Sequence, residues 1–90
     1  MTKKRIRFIF TGRVQGVGFR YTAYHICSSL GITGFVKNEW DGSVLLEAQG
    51  NVESLQKILT RLEKSPFIRI ENVEQTEIPL KEESTFSIEY

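Results

Sequence analysis

The chain has 90 residues, of which 40% are hydrophobic, and a formal net charge of +1. This size and composition indicate one modest folded domain over residues 1–90 and exclude a disordered segment. A single cysteine and a single histidine exclude a disulfide framework and the usual Cys/His zinc clusters. No apolar run approaches the roughly 18 residues of a membrane span. The basic N-terminal segment holds too short an apolar stretch for a signal peptide, so we expect a cytoplasmic protein.

The charge is unevenly distributed along the chain. Residues 1–38 contain seven basic and no acidic side chains, whereas residues 39–90 contain five basic and eleven acidic side chains. Such an asymmetry raises nucleic acid, a membrane surface or a small anion as a partner. The near-neutral total argues against nonspecific binding of polyanions.

The first elements in chain order are a strand and a helix. Residues 6–10 are β-branched and aromatic with partial alternation, which predicts a strand. Residues 11–18 contain three glycines and predict a loop. Apolar residues then recur at helical spacing on one face, followed by Gly31 as a natural helix stop. The residues of this face are Phe19, Ala23, Ile26, Cys27 and Leu30.

A hairpin and a second helix follow. Residues 33–40 and 43–49 are strand-like and flank Asp41-Gly42, a strong hairpin signal. Asn51 can cap a second helix, which Ser65-Pro66 ends. The predicted buried face of this helix consists of Val52, Leu55, Ile58, Leu59 and Leu62.

The last part of the chain completes an α+β order. Residues 67–79 are mostly strand-like, and residues 85–90 predict a last short strand. The order β-α-β-β-α-β, with a possible extra strand, predicts a ferredoxin-like sandwich, an antiparallel sheet with two helices on one face. This superfold hosts RNA binders, metal carriers, regulatory domains and enzymes, so the fold alone does not decide the function.

The stretch from Gly12 to Arg20, GRVQGVGFR, joins the predicted strand to the predicted helix. Its glycines permit positive φ and let backbone N–H groups converge at a helix N-terminus, which favours an anion site. A cation at Arg20 opposes the helix macrodipole unless an anion lies between it and the loop. A ligand-free glycine turn and an exposed arginine are the alternatives. The Walker A and dinucleotide-binding patterns are both absent.

Asn38, near the end of the second predicted strand, is the second candidate. The end of this strand can lie close to the glycine-rich loop, and an amide oxygen there could orient a water molecule. A plain strand-end asparagine is the alternative. Other polar residues predict no chemistry: His25 is expected at the surface, Cys27 in the core, and Lys3-Lys4-Arg5 in a solvated terminus.

In these motifs the chain resembles the acylphosphatase family. The resemblance rests on residues 12–21 and on residues 30–38 running into 41–44, and weaker similarity continues through 48–50, 65–66 and 86–88. It implies the ferredoxin-like sandwich and hydrolysis of an acyl phosphate to carboxylate and orthophosphate (EC 3.6.1.7), with no metal and no cofactor. It also implies small-molecule partners, acyl phosphate and inorganic phosphate. We expect no nucleic acid and no membrane as a partner, and we take a monomer as the default, since the sequence does not fix the oligomeric state.

The resemblance assigns roles to individual residues. Arg20 matches the catalytic arginine, and Asn38 matches the asparagine that positions water. The phosphate-binding loop falls on the backbone of Arg13, Val14, Gln15, Gly16, Val17 and Gly18. The chain departs from the common family pattern at structural positions, with Phe35 in place of Trp and Ser65-Pro66 in place of Gly-Pro. Glu39 could weaken anion affinity if it faces the site.

Two other functions stay open on the sequence. A noncatalytic anion-binding module would keep the loop and bind phosphate without turnover. The loop also occurs in the N-terminal domain of larger carbamoyl-transfer maturation proteins, but the chain ends at Tyr90, so we expect a free-standing enzyme. An RNA-binding module of the same superfold would need aromatic residues on the third strand, and Ser43-Val44-Leu45-Leu46-Glu47 has none.

Overall fold

The computed structural model describes residues 2–90, and Met1 lies outside this range. A five-stranded sheet of order β4-β1-β3-β2-β5 carries the helices, with β2 and β5 parallel and every other neighbouring pair antiparallel. This architecture confirms the predicted ferredoxin-like α+β fold. The elements are β1 (Lys3–Arg13), α1 (Phe19–Ser29), β2 (Thr33–Asn38), β3 (Val44–Asn51), α2 (Val52–Leu55), α3 (Lys57–Glu63), β4 (Arg69–Ile78) and β5 (Phe86–Glu89).

The strand register sorts alternate side chains onto two faces of the sheet. Phe8 lies opposite Leu46, and Leu46 lies opposite Val36, so these buried side chains share the face that the helices cover. The helices bury most of their predicted apolar stripes against this face, with Ile26, Leu30 and Leu59 partly buried and Val52 outside the core. Their buried residues are Phe19, Ala23, Cys27, Leu55, Ile58 and Leu62.

The first strand is longer than the sequence predicts. Residues 11–13, expected in a loop, continue β1 because they pair with β4, Thr11 before and Gly12 and Arg13 after a shift of register. Gly12 has a φ of 126°, and a Cβ there would lie 2.4 Å from the carbonyl oxygen of Arg69. Only glycine allows the two strands to approach this closely. The other predicted strands differ from the observed ones by up to two residues at each end.

The second helix also differs from the prediction. It consists of α2 and α3, which meet at Gln56, where the backbone stays helical with φ −66° and ψ −18°. The predicted side-chain cap by Asn51 is wrong, since this residue makes no side-chain cap hydrogen bond. Asn51 does occupy the N-cap position of α2, with the extended backbone angles usual there, and it also pairs with Lys3 as the last residue of β3.

The sheet face opposite the helices carries a buried polar cluster. Arg5 is 0% exposed, and its Nε and Nη2 donate to Glu47 Oε1 at 3.1 and 2.9 Å. Its Nη1 also donates to Glu83, in the segment between β4 and β5. The expectation that Arg5 lies in a solvated terminus is therefore wrong. Strand alternation directs its side chain onto this face, where carboxylates from β3 and from the crossing segment converge on it.

The segment Lys81–Glu83 is held to the sheet by side chains of β3 and β1. The backbone N–H of Lys81 donates to Gln49 Oε1 at 2.9 Å, and Gln49 Nε2 donates to the Lys81 carbonyl at 2.7 Å. Burial lowers the pKa of Arg5, but hydrogen bonds and charges of Glu83 and Glu47 outweigh it, so this pKa lies above its ordinary value. The connection beyond this segment leads the chain into β5 beside β2.

Across residues 2–90, no helix combines the length and hydropathy that crossing a membrane requires.

Candidate active site

The loop between β1 and α1 is built on two apolar anchors and two glycines. Val14 is fully buried, and Val17 is half-buried against the same core. Gly16 and Gly18 have φ values of 72° and 77°, a left-handed conformation that favours glycine. The two valines therefore anchor the loop to the core, and the glycines turn its backbone.

The backbone N–H groups of this loop are free to bind a ligand. Within residues 2–90, none of the N–H groups of residues 14–18 donates a backbone hydrogen bond. Gly18 occupies the N-cap position of α1, and no side chain caps the helix there. Unpaired amides at the N-terminus of an 11-residue helix create a positive potential suited to an anion.

Gln15 ties the loop to the turn between β2 and β3. Its Nε2 donates to the carbonyl oxygens of Glu39 and Ser43, at 2.7 and 2.9 Å. The turn is itself braced by Asp41, whose Oδ1 accepts from the Ser43 hydroxyl at 2.7 Å and from the Ser43 N–H at 2.9 Å. These bonds hold the pKa of Asp41 below its ordinary value. The loop is therefore anchored from the strand end that carries Asn38.

Arg20 is held by groups that carry no net charge. Its Nη1 donates to the carbonyl oxygen of Glu89 at 3.3 Å, and its Cζ lies 4.8 Å from the centroid of the Tyr90 ring. In the described part of the chain, no carboxylate forms an ion pair with Arg20. A carbonyl and an aromatic face orient the guanidinium without neutralising it, so its charge stays available to an anion.

Asn38 is the last residue of β2 and lies opposite Val44 of β3. Its side-chain Oδ1 is buried and accepts no hydrogen bond from the described protein atoms. A buried acceptor without a partner costs free energy, on the order of 1–3 kcal/mol. An oxygen in this state, next to a cavity, is a natural acceptor for a small hydrogen-bond donor.

A shallow cavity of about 200 Å³ brings the candidates together. The glycine-rich loop and α1 line one side, Asn38 lies at the end of β2, and Ile88 and Tyr90 close the site from the C-terminal end. No acidic side chain among residues 2–90 lines this cavity. Nor do the described residues contain a group of three or more metal-ligating side chains of the His, Cys, Asp and Glu types.

The residues proposed from the sequence do not all line the cavity. Val14, Gly16, Gly18, Arg20 and Asn38 line it, whereas Arg13, Gln15 and Val17 do not. Arg13 ends β1 opposite Arg69, because the strand continues further than expected.

Sequence reasoning missed the cavity residues Tyr21, Ile88 and Tyr90. Tyr21 directly follows the singled-out Arg20, so its place in the helix was a usable signal. Nothing local in the sequence links Ile88 or Tyr90 to the loop. They reach it through the parallel pairing of β5 with β2, which joins distant parts of the chain.

Comparison with known proteins agrees with this geometry. The sequence profile of the acylphosphatase family matches residues 6–88. An acylphosphatase of Ligilactobacillus salivarius is 42% identical over 89 residues, which cover 97% of this chain and 99% of that protein. The chain belongs to the acylphosphatase family. Acylphosphatases hydrolyse acyl phosphates (EC 3.6.1.7), and this activity is the function of the chain.

Comparison with solved structures gives an acylphosphatase and a segment of a larger protein. The crystal structure of acylphosphatase from Bacillus subtilis superposes with a TM-score of 0.90 and 38% identity, covering 96% of this chain and 98% of that one. HypF of T. kodakarensis superposes with a TM-score of 0.80 and 33% identity, covering 99% of this chain and 12% of that protein. Acylphosphatases act on small molecules.

Proposed function

We propose that the loop amides and Arg20 bind the phosphoryl group of the acyl phosphate and that Asn38 orients the attacking water. The observation that carries this proposal is the unpartnered buried Oδ1 of Asn38, which lines the same cavity as Arg20 and the glycines of the loop. One wall of the cavity thus offers donors for phosphate oxygens, and another offers an acceptor for a water proton.

Electrostatics account for binding and for most of the rate enhancement. Negative charge in phosphoryl transfer is spread over three equatorial oxygens, and catalysis consists mainly of positioning and stabilising that charge. The amides of residues 14–18 have no backbone acceptor, and Arg20 has no carboxylate partner among the described residues. Both sets of donors are therefore oriented in advance of the reaction, which makes each of them effective in the transition state.

The chemical step is a displacement at phosphorus. The water held by Asn38 Oδ1 forms the new O–P bond, and the bond between phosphorus and the acyl oxygen breaks. The carboxylate leaves with the electron pair. Because its conjugate acid has a pKa of roughly 4–5, it needs no general acid. A phosphate oxygen takes the proton from the water, and the products are carboxylate and orthophosphate.

Arg20→Ala tests the role of the guanidinium. We expect a loss of roughly 3–5 kcal/mol of transition-state stabilisation, or about 10²–10⁴ in rate, with the fold retained because the side chain lies outside the core. Hydrolysis of a chromogenic acyl phosphate measures this effect, and Arg61→Ala, at an exposed arginine of α3, is the matched control. Undiminished turnover by Arg20→Ala would refute the assignment.

Asn38→Ala tests the role of the amide. We expect kcat to fall by about 10²-fold, the scale of one lost transition-state hydrogen bond. Competitive inhibition by inorganic phosphate should stay nearly unchanged, because the phosphate ligands remain in place. A large loss of phosphate inhibition would instead identify Asn38 as a ligand of the phosphate.

We also propose that the enzyme works as a monomer in the cytoplasm. The single Cys27 is buried and unpaired, which suits a reducing compartment. Light scattering coupled to gel filtration should give a mass near 10.4 kDa.

A further inference from the structure

The crossing segment, residues 79–85, carries the chain over the sheet face opposite the helices, from β4 at one edge to β5 at the other. Side chains of β1 and β3 fasten it at two points. Arg5, which is 0% exposed, donates to the Glu83 carboxylate. Gln49, which is 1% exposed, donates to the Lys81 carbonyl and accepts from the Lys81 N–H. The crossing segment is therefore fixed to the sheet shortly before β5 begins.

The strand β5 has little to hold its position by itself. It has four residues and pairs only with β2, in parallel, at the edge of the sheet. Parallel pairing is slightly less stable per residue than antiparallel pairing. Only Ser84 and Thr85 lie between Glu83 and Phe86, the first residue of β5. These three steps of chain span at most roughly 11 Å, so the bond to Glu83 limits the registers that β5 can adopt against β2.

The far end of β5 reaches the cavity of the candidate active site. Ile88 lines the cavity, and the carbonyl oxygen of Glu89 accepts from Arg20 Nη1 at 3.3 Å. Glu89 lies opposite Lys37, the residue before Asn38. A slip of β5 by one residue would move the Glu89 carbonyl by about 3.3 Å and turn Ile88 to the other sheet face. The register of β5 thus decides where the Arg20 guanidinium is held.

We propose that Glu83 is a positioning residue for the hydrolysis of acyl phosphates. It accepts from Arg5 and so fixes the crossing segment, and the crossing segment fixes the register in which β5 holds Arg20. This inference rests on the phosphoryl-binding role proposed above for Arg20. The part of Glu83 that matters is its oxygen acceptor, because the effect on Arg20 is one of geometry and not of charge.

The test compares Glu83→Ala, which removes the acceptor, with Glu83→Gln, which keeps an oxygen acceptor without the charge. Hydrolysis of a chromogenic acyl phosphate is measured well below the unfolding transition of every variant. We expect Glu83→Ala to lower kcat/KM by about 10- to 100-fold, since a misplacement of about 1 Å can cost 10²-fold. Inhibition by inorganic phosphate should weaken with it, because Arg20 contacts the phosphate. Glu83→Gln should stay close to the wild type.

Two controls separate positioning from a general loss of stability. Glu82→Ala changes the neighbouring carboxylate, which is exposed and forms no ion pair among residues 2–90. Arg7→Ala removes a partner of Glu47 from the same polar cluster without touching the crossing segment. Both should keep the wild-type kcat/KM and phosphate inhibition. If Glu83→Ala does not fold, Gln49→Ala is the second variant, because it frees the crossing segment at Lys81 and should cause the same kinetic loss.

Hydrogen exchange reports on β5 independently of activity. The Gly34 N–H donates to the Thr85 carbonyl at 3.1 Å, so its exchange should accelerate in Glu83→Ala and stay slow in both controls. Faster exchange at Gly34 with unchanged kcat/KM would show a purely structural role and overturn the proposal. Equal kinetic losses in Glu83→Ala and Arg7→Ala, or in Glu83→Ala and Glu83→Gln, would also overturn it. Failure of the phosphoryl site would appear separately, as full turnover by Arg20→Ala.

Discussion

Substitution of the buried Arg5 tests the ion pairs that stabilise the sheet face opposite the helices. We consider Arg5→Leu, which removes the guanidinium and keeps an apolar side chain on β1. The carboxylate of Glu47 is then left at 6% side-chain exposure without its closest cation. Removing one partner of a buried ion pair costs about 3–5 kcal/mol, mainly because the remaining charge stays buried.

The structure places the expected value near the lower end of this range. Glu47 keeps two weaker partners, Arg7 Nε at 3.3 Å and Lys81 Nζ at 3.9 Å. Glu83 has 23% side-chain exposure and can turn toward solvent. We therefore expect a loss of about 3 kcal/mol in the free energy of unfolding. For a domain of this size the loss corresponds to a fall in Tm of roughly 12–24 °C.

Urea denaturation of a double-mutant cycle measures the effect. The variants are Arg5→Leu, Glu47→Leu and the double variant, with Lys4→Leu as the control on the same strand. The Lys4–Glu77 pair is exposed on both sides, so its loss should cost no more than about 1 kcal/mol. The double variant should be destabilised by less than the sum of the single variants, because it leaves no buried carboxylate at position 47. Additive effects, or an Arg5→Leu cost as small as that of Lys4→Leu, would refute the reasoning.

Three further predictions follow from single contacts. Gln15→Ala removes the donor to two turn carbonyls, so it should lower the free energy of unfolding by about 1–2 kcal/mol. It should also weaken inhibition by inorganic phosphate, because the loop loses its anchor. An unchanged inhibition constant would contradict the anchoring role. Burial raises the pKa of Cys27 to about 12, so a thiol reagent at mildly alkaline pH should modify it only after unfolding, and rapid labelling of the native protein would be inconsistent with this burial. Ser43→Ala removes the hydroxyl bond and keeps the backbone N–H bond, so it should raise the Asp41 pKa toward 3.8 in an NMR titration, whereas an unshifted pKa would exclude the Ser43 hydroxyl as a cause. Because the wild-type pKa is lowered, its stabilising contribution is present above pH 3.8 and disappears as pH falls through the folded-state value.

Local sequence patterns predict the elements of this fold better than they predict the ends of those elements. The order of strands and helices follows from periodicity, and the turn at Asp41-Gly42 follows from turn chemistry. The extension of β1 to Arg13 does not, because it depends on a close approach to Arg69 that only strand pairing produces. Local sequence therefore predicts which elements exist more reliably than where they end.

The candidate site likewise has features that the sequence predicts and features that only the tertiary structure shows. Arg20 and the loop are neighbours in the chain, so their spacing alone indicates an anion site at a helix N-terminus. The approach of Asn38 could be anticipated from the topology, but the isolation of its Oδ1 required the packed structure. The contact between Arg20 and Tyr90 joins residues at opposite ends of the chain, and no local pattern encodes it.

The sequence by itself predicts a small anion as the ligand, chiefly from the glycine-rich loop and Arg20, and the acid-free first 38 residues favour the same interpretation. Only the tertiary structure decided which of these charges are neutralised by carboxylates and which stay without an ion-pair partner among residues 2–90. Arg5 is neutralised by Glu47 and Glu83 on the sheet face opposite the helices. Arg20 has only a carbonyl oxygen and an aromatic ring as its partners among the described residues. The physical reason is that a charge becomes available or neutralised through neighbours that long-range strand pairing brings to it.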